Sequence, residues 1–344
     1  MAYTTIKKPS DYFNTKLYTG NGSTQNITGV GFQPDLIWLK DRDATDWHWW
    51  NDAVRGATKT IFSNVTNAES TQATSITAFD TDGFTLGNDG SVNRNNDNYV
   101  GWNWLGANGT ASNTDGSITS TVSANTTSGF SIVSYTGNAT DGATVGHGLG
   151  AVPDMLIGKD LSDTSSWGIW HKDLTNAGYK LSFNTDAQAD DPALFGGSSR
   201  TAPTSSVFTL GVGGGLNGAN ANIVYAFTSI KGFSKFGSYT GNGNSDGPFI
   251  YTGFKPAFVM IKSSSQAETN WVIVDNKREG YNPDNNRLFP DSNQVESTSD
   301  VVDLLSNGFK LISGAGSSNG PSYTHIYMAF AEEPLVGDNP ATAR

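Results

Sequence analysis

Short apolar runs separated by polar turns dominate this chain of 344 residues. The run 130–135, Phe-Ser-Ile-Val-Ser-Tyr, alternates apolar and small polar residues, which is the period-two pattern of a half-buried strand. Asn-Gly and Asp-Gly turn signals follow about every 8–15 residues, a spacing that suits a sandwich. Apolar residues at helical spacing are nearly absent. The pattern predicts an almost entirely β protein.

The same order of landmarks occurs three times. Each copy opens with Tyr-Thr-Gly-Asn, at 18–21, 135–138 and 239–242. An apolar run then ends in a lysine 22, 24 or 23 residues after the tyrosine, and these lysines are Lys40, Lys159 and Lys262. One or more tryptophans, a Phe-centred strand and an aromatic closing strand follow in each copy. A period of roughly 100 residues indicates whole domains rather than solenoid units.

We therefore predict an all-β chain of three tandem repeated β-sandwich domains, jelly-roll-like and about 100 residues each. The predicted segments are an N-terminal lead 1–15, repeat 1 at 16–106, a linker 107–128, repeat 2 at 129–231, repeat 3 at 232–335 and a C-terminal tail 336–344. The linker is rich in Asn, Thr, Ser and Gly, which indicates an extended or flexible connection. Repeat 1 is therefore expected to be the most independent of the three.

Three middle segments differ most between the copies. They are 64–77, 185–205 and 282–300. A constant scaffold with variable loops is the usual way in which a protein carries a recognition surface. We expect these segments to be loops that contribute to binding.

Charge and composition exclude several classes of protein. The net charge of −11 and the pI near 4.7 argue against a nucleic-acid partner. No apolar stretch is long enough to cross a membrane, and the first residues lack the apolar core of a secretory signal. The absence of cysteine excludes disulfides, thiolate metal sites and cysteine nucleophiles. These features predict synthesis in a cytosol and no membrane insertion.

Catalytic arrangements are hard to find in the sequence. The four histidines are scattered, and the segment 41–46 alternates carboxylates but lacks the Gly and Glu of a complete calcium loop. The Gly-rich segment 213–218 lacks the Gly-Lys-Ser/Thr of a phosphate loop, so we expect a turn between strands. Paired carboxylates for glycoside hydrolysis need only proximity in space, but no glutamate lies in a shared landmark. We expect no enzyme, no cofactor and no metal site, and the sequence leaves calcium binding by a loop open.

Tryptophans are the best candidates for a binding site. In a strand over 46–52, Trp47 and Trp49 share one face, while His48 and Trp50 share the other. Trp50 is the best candidate for presentation to solvent, where an indole ring stacks well on a sugar. Trp47, Trp170 and Trp271 are further candidates. For the tryptophans as a group we favour the interpretation that they belong to the core or to an interface, and a binding platform is the alternative.

Several motifs resemble a domain that recurs in structural proteins of marine bacteriophages, of the cyanophage and pelagiphage type. They are Tyr-Thr-Gly-Asn-Gly at 18–22, Gly-Phe-Gln-Pro-Asp at 31–35 and Trp-Leu-Lys at 38–40. The C-terminal stretches 329–335 and 341–344 are also similar. The second and third copies depart from the middle motif, with Ala151 in place of Phe and Ala257 in place of Asp, which assigns these residues to architecture. The resemblance implies a virion component and no catalytic residue.

The resemblance and the composition together set the functional expectation. We expect a tail fibre or other tail component that contributes to attachment to a host-surface glycan, located in the virion and assembled in the host bacterial cytoplasm. The expected partners are other phage virion proteins and copies of itself as a homo-trimer, because three aromatic-rich domains would expose much apolar surface. A capsid decoration or head-fibre protein and a polysaccharide depolymerase are the alternatives. The sequence does not distinguish tail from head.

Overall fold

The computed structural model describes residues 4–278, 282 and 284–342. The prediction of an all-β fold is confirmed. The described helices are a 3₁₀ turn at Pro9–Asp11 and two single α turns, α1 at Gly90–Asn93 and α2 at Gly316–Asn319. The outermost residues of the predicted lead and tail, 1–3 and 343–344, lie outside the described residues. The same holds for residues 279–281 and for residue 283, which belongs to the third variable segment.

Repeat 1 consists of two antiparallel sheets. Its strands are β1 (Phe13–Thr19), β2 (Gln25–Thr28), β3 (Leu36–Asp41), β4 (Trp49–Asp52), β5 (Lys59–Phe62), β6 (Ser70–Thr71), β7 (Ile76–Asp80), β8 (Gly83–Leu86) and β9 (Asn98–Trp104). The inner sheet has the order β1-β9-β3-β4-β5-β6, and the outer sheet has the order β2-β8-β7. Tyr18 is the last residue but one of β1, and Lys40 is the last but one of β3.

Repeat 2 has the same plan with an extension. Its strands are β10 (Ala111–Asn113), β11 (Ser120–Asn125), β12 (Phe130–Thr136), β13 (Thr144–Gly146), β14 (Met155–Asp160), β15 (Gly168–His171), β16 (Tyr179–Lys180), β17 (Ala189–Asp190), β18 (Val207–Thr209) and β19 (Ala221–Phe227). The inner sheet has the order β10-β11-β12-β19-β14-β15, the outer sheet is β13-β18, and β16 pairs with β17.

The segment 107–128 is not the flexible linker that its composition indicates. It supplies β10 and β11, and β11 pairs with β12 along its whole length. Ile118 and Val122 are buried between the sheets of repeat 2. Two apolar side chains at the right register thus override a composition that is otherwise typical of a linker.

Repeat 3 again has two sheets. Its strands are β20 (Ser234–Thr240), β21 (Phe249–Tyr251), β22 (Phe254–Ser263), β23 (Val272–Asp275), β24 (Asp284–Arg287), β25 (Ser297–Leu305), β26 (Gly308–Leu311) and β27 (Thr324–Pro334). The inner sheet has the order β20-β27-β22-β23, and the outer sheet has the order β21-β26-β25-β24. The first and last described segments meet here, because Asp338 N donates to Lys7 O at 3.3 Å.

The central strands β3, β14 and β22 of the inner sheets are buried on both faces. On β3, Ile37 and Leu39 pack against the outer sheet of repeat 1, whereas Leu36 and Trp38 face a core that all three repeats share. On β22, Phe258 points into the same shared core. Burial on both faces explains why these strands read as unbroken apolar runs.

The shared core joins the repeats into one body. It contains aromatic side chains from every repeat, including Trp50 and Trp102, Phe227 and Tyr225, and Phe330. Repeat 1 is therefore not the independent domain that we expected. The aromatic inner faces, which on isolated sandwiches would be exposed, bury one another instead.

Three backbone hydrogen bonds close the repeats into a ring. Each acceptor is the residue two places after a buried lysine, and the bonds are Glu69 N to Leu161 O, Gln188 N to Ser264 O and Glu296 N to Arg42 O, at 2.9, 2.8 and 2.9 Å. The first bond runs from repeat 1 to repeat 2, the second from 2 to 3, and the third from 3 back to 1. The repeats are thus arranged around an approximate threefold axis.

Phe183 lies where the repeats meet. Its ring centroid is 5.8, 6.0, 5.4 and 5.2 Å from the rings of Trp38, Trp50, Trp167 and Trp271. The corresponding positions of the other repeats hold Ser63 and Pro290, and the Ser63 hydroxyl donates to Pro290 O at 2.6 Å. Equivalent residues converge near an axis, so one large side chain needs two small partners.

Candidate functional site

The four candidate tryptophans differ in location and exposure. Trp50 is 1% exposed and Trp271 is also 1% exposed, both within the shared core. Trp170 is buried between the sheets of repeat 2. Trp47 keeps 38% of its surface exposed and packs on Phe62 with ring centroids 4.8 Å apart. The prediction that Trp50 is presented to solvent is wrong, because the face of β4 that carries it is turned to the aromatic core. The structure does not bring the four together as one site.

The signature tyrosines serve architecture. Their hydroxyls donate to backbone carbonyls in the same place of each repeat, namely Tyr18 to Val92 O, Tyr135 to Leu216 O and Tyr239 to Ser318 O, at 2.7, 2.8 and 2.5 Å. Burial raises the pKa of each of these phenols well above its ordinary value.

A buried asparagine follows each of those carbonyls. Its side-chain oxygen accepts from the amide of the signature Asn, in the pairs Asn21 to Asn93, Asn138 to Asn217 and Asn242 to Asn319, at 2.9, 3.0 and 2.9 Å. Sequence reasoning missed these asparagines. Their signal is an Asn shortly before each closing strand.

The three lysines are also internal. Lys40 Nζ donates to Asp41 O and Ala44 O, and Lys159 Nζ donates to Asp160 O. Lys262 Nζ donates to Thr269 O. Burial lowers the pKa of each ammonium to about 8. These cations hold the loop after the strand by its carbonyl groups.

The acidic segment 41–46 is paired with an arginine of the same repeat. Arg94 pairs with Asp41 at 3.3 Å, with Asp46 at 2.8 Å and with Asp97 at 2.8 Å. Asp43 accepts from the amide of Asn98 at 2.8 Å. This segment is therefore bound to the chain's own arginine and to a neighbouring backbone amide.

Repeat 2 opens a polar cleft of about 600 Å³. Asp160 and Asp163 line one part of it, and the ion pair of Lys180 with Asp191, at 2.7 Å, lines another. The segment 213–215 forms a further wall. Gly213 and Gly215 have φ of 92° and 94°, a conformation that favours glycine. The Gly-rich segment is thus a turn between β18 and β19, as expected.

A second cleft of about 340 Å³ adjoins the first. It shares Asp191 and Val212 with the first cleft and adds Asp141 and Ser198. Val212 is exposed at the boundary between them. The variable segment 185–205 supplies much of the wall of this second cleft. One predicted recognition loop therefore lines a cleft.

A third pocket, of about 350 Å³, lies against the shared core, where residues of all three repeats meet. Asn64, Asn184 and Asp291 line it, one from each repeat. Asp291 Oδ1 accepts from Trp271 N at 3.1 Å, and burial raises the pKa of this carboxyl to about 6.

Repeat 3 carries an exposed aromatic pair. Phe249 and Tyr251 are 45% and 49% exposed on the edge strand β21, while Ile250 between them faces inward. Lys235 Nζ donates to Tyr251 O at 2.6 Å and lies 5.4 Å from its ring centroid. The edge carbonyl is therefore occupied, which discourages strand addition and leaves the aromatic side chains as the accessible groups.

Among the described residues, no group of three His, Asp or Glu side chains is placed to hold a metal ion. The described part of the chain also has no helix that is long and apolar enough to cross a membrane.

Fold and sites together define an all-β protein whose three repeats close around one aromatic core and present clefts and aromatic side chains outward. A family model described as a domain of unknown function, DUF7483, matches residues 8–334. The chain therefore belongs to the DUF7483 family. Neither the comparison with curated proteins nor that with solved structures gave a match.

Proposed function

We propose that this protein is a structural component of a bacteriophage virion, located in the tail, that contributes to attachment to host-surface glycans. The observation that carries the proposal is a difference in position. Residues that recur in all three repeats lie inside the protein, whereas many residues that differ between the repeats lie on its outer surface. The asparagines and lysines that recur in all three repeats are buried, and the recurring tyrosines are buried or half-buried; all of them bind backbone groups. The phage assignment itself is supported by the resemblance of the signature motifs.

The unshared residues supply the outward chemistry. The segment 185–205 borders two clefts in repeat 2. Phe249 and Tyr251 lie on the outer sheet of repeat 3. The strand registers show that Asn26 and Thr28 occupy the corresponding positions on the outer sheet of repeat 1. A rigid scaffold with differing outer faces suits recognition better than it suits chemistry that needs one elaborated active site.

The glycan-binding candidates change with the structure. Trp47, Phe249 and Tyr251 have exposed rings, whereas Trp50 does not. Exposed aromatic rings beside hydrogen-bonding groups suit the amphipathic faces of a sugar. Lys310, opposite Phe249 on β26 and bonded to Asp246 at 2.6 Å, supplies such a polar neighbour.

Assembly with other virion proteins and with copies of itself remains part of the proposal, but its basis changes. The homo-trimer expectation rested on apolar faces that are now buried between repeats of one chain. Contacts between chains would have to use outer faces instead. The homo-trimer therefore stays a prediction, which light scattering tests.

Location in the particle is the direct test. Immunogold labelling of purified particles with an antibody to this protein is expected to mark tails. Labelling of heads would favour the decoration or head-fibre alternative, and absence of the protein from purified particles would refute the proposal.

Attachment is tested separately with the double variant Phe249→Ala/Tyr251→Ala. We expect slower adsorption to host cells with particles intact, because neither ring fills a core. Asn26→Ala/Thr28→Ala at the matched positions of repeat 1 is the control and should adsorb normally. Unchanged adsorption of the aromatic variant would assign attachment elsewhere.

A further inference from the structure

We propose that the cleft in repeat 2 binds the guanidinium group of an arginine side chain presented by a partner protein. The other two repeats fill the equivalent place with their own side chains, and repeat 2 leaves it open. The inference stands on this internal comparison and is independent of the function proposed above.

The equivalence of the three places follows from the signature glycines. Each packs directly on the carbonyl of the residue after the buried asparagine. A Cβ added to Gly20, Gly137 or Gly241 would lie 2.1, 2.0 or 2.3 Å from the carbonyl oxygen of Arg94, Gly218 or Gly320, respectively. Arg94, Gly218 and Gly320 therefore occupy corresponding positions.

Repeat 1 fills the place with a guanidinium. Arg94 reaches across the loop that follows Lys40 and pairs with Asp41, whose side chain is fully buried, and with Asp46 and Asp97. The planar guanidinium has five donors and serves several carboxylates at once.

Repeat 3 fills the place with an aromatic ring. A Cβ on Gly320 would lie 2.1 Å from Cδ2 of Tyr323, so this ring covers the position. The residue after Lys262, which corresponds to Asp41, is Ser263. Repeat 3 thus lacks both the space and the negative charge.

Repeat 2 keeps the charge and has the space. Asp160 follows Lys159 as Asp41 follows Lys40, and it is 3% exposed. A Cβ on Gly218 would come no closer than 3.6 Å to its neighbours, which is ordinary contact. Asp163 adds a second carboxylate to the cleft wall.

Asp160 has acceptor capacity left. It accepts from Ser162 N at 2.8 Å and from Asn220 Nδ2 at 3.2 Å. A carboxylate offers about four lone-pair positions, so two internal donors do not exhaust it. Asp191 is different, since it is already paired with Lys180.

The cleft fits a whole side chain rather than a bare cation. Its volume of about 600 Å³ lies in the range of ligand sites. Leu194 and Val212 supply apolar contacts for the methylene stem of an arginine, whose charged end would then reach Asp160. A free arginine would add its own carboxylate to an acidic cleft, so a peptide-borne arginine suits the site better. The net charge of −11 would also attract a cationic partner.

The test uses the full chain and the probe N-acetyl-L-arginine N-methylamide, with binding followed by NMR titration and its location by crystal soaking. We expect one occupied site in the wild type, in repeat 2. Gly218→Arg should abolish binding by filling the cleft as Arg94 does in repeat 1. Arg94→Gly should open a second site in repeat 1. Thermal unfolding of both variants verifies that they are folded.

Further experiments test whether the cleft is specific for a guanidinium group. Asp160→Asn should weaken binding about tenfold or more, because it removes a charge-assisted hydrogen bond. The N-acetyl-L-lysine N-methylamide and free L-arginine should each bind more weakly than the arginine probe. Equal binding of the lysine probe, equal binding to folded Gly218→Arg, or no binding to the wild type would each overturn the proposal.

Discussion

The indole Nε1 of Trp167, in repeat 2, donates a buried hydrogen bond to the carbonyl of Phe62, in repeat 1, at 2.9 Å. The next pair around the ring repeats it, since Trp271 Nε1 donates to Ser182 O at 2.8 Å. Trp271, one of the candidate binding residues of the sequence analysis, and Trp167 therefore each connect one repeat to the next. Their conspicuous recurrence comes from assembly within the chain.

Trp167→Phe is expected to destabilise the protein. The Phe62 carbonyl loses its buried donor, which costs about 1–3 kcal/mol in the free energy of unfolding, and the smaller phenyl ring adds the cost of a cavity. Urea denaturation followed by circular dichroism measures it. Trp47→Phe, at an exposed position, is the matched control and should change stability by less than about 0.5 kcal/mol. Equal effects of the two variants would contradict the role of the inter-repeat bond.

Unfolding is expected to be a single cooperative transition. The repeats share one core and close through three backbone bonds, so none can leave without exposing the aromatic faces of the others. Differential scanning calorimetry should give a calorimetric enthalpy equal to the van't Hoff enthalpy. Two or three separable transitions would indicate domains that are stable alone.

The isolated fragment 16–106 should fail to fold as a monomer. Trp38, Trp50, Trp102 and Trp104 would all face water on its inner sheet, because their partners come from other repeats. Light scattering is expected to show association, and the amide proton spectrum poor dispersion. A monomeric fragment with well-dispersed amide signals would disprove this.

Phe183→Ala should cost about 3–5 kcal/mol, as expected for removal of a large buried aromatic side chain. Trp50→Ala should be similarly severe, because Trp50 lies against Trp38 and Trp167 with ring centroids 4.4 and 5.3 Å apart. Chemical denaturation measures both. A loss below about 1 kcal/mol in either would show that the core relaxes around the cavity.

Acid sensitivity should come partly from His325. Its ring is fully buried, stacked on Tyr239 with centroids 5.1 Å apart, and burial together with nearby Lys262 lowers its pKa to about 4. The unfolded chain binds this proton near pH 6.5, so it holds more protons than the folded chain between pH 6.5 and 4. The free energy of unfolding therefore falls as the pH drops through this window.

His325→Phe keeps an aromatic ring at this position but removes the titration. The loss of stability between pH 7 and pH 5 should be smaller than in the wild type when urea denaturation is compared at the two values. An identical loss would assign the pH dependence to the other groups, such as His171, whose pKa is likewise lowered to about 4 by burial.

The sequence predicts the strands well because their signals are local. Alternation and turn residues place the signature strand and the closing strand of every repeat, and the lysine run is visible as an apolar stretch. The exposure of Trp50 was predicted wrongly, because alternation separates two faces but does not say that both are buried. That information resides in contacts between residues more than 100 positions apart, such as Trp50 with Trp167.

The candidate sites were less predictable for a similar reason. The cleft in repeat 2 results from Gly218 standing where repeat 1 has Arg94, a difference that matters only once the two loops are known to correspond in space. The linker composition at 107–128 likewise hid two strands. In both cases a few side chains at particular positions decide the outcome, and average composition does not register them.

The trio of Ser63, Phe183 and Pro290 has a consequence for how such a chain can change over time. If three separate copies of one polypeptide formed the ring, the same residue would lie at the axis three times. Selection would then keep only residues that fit there in all three copies. Joining the copies into one chain releases that constraint. Each repeat can then mutate by itself, near the axis and on its outer face alike, without imposing the same change on its two neighbours.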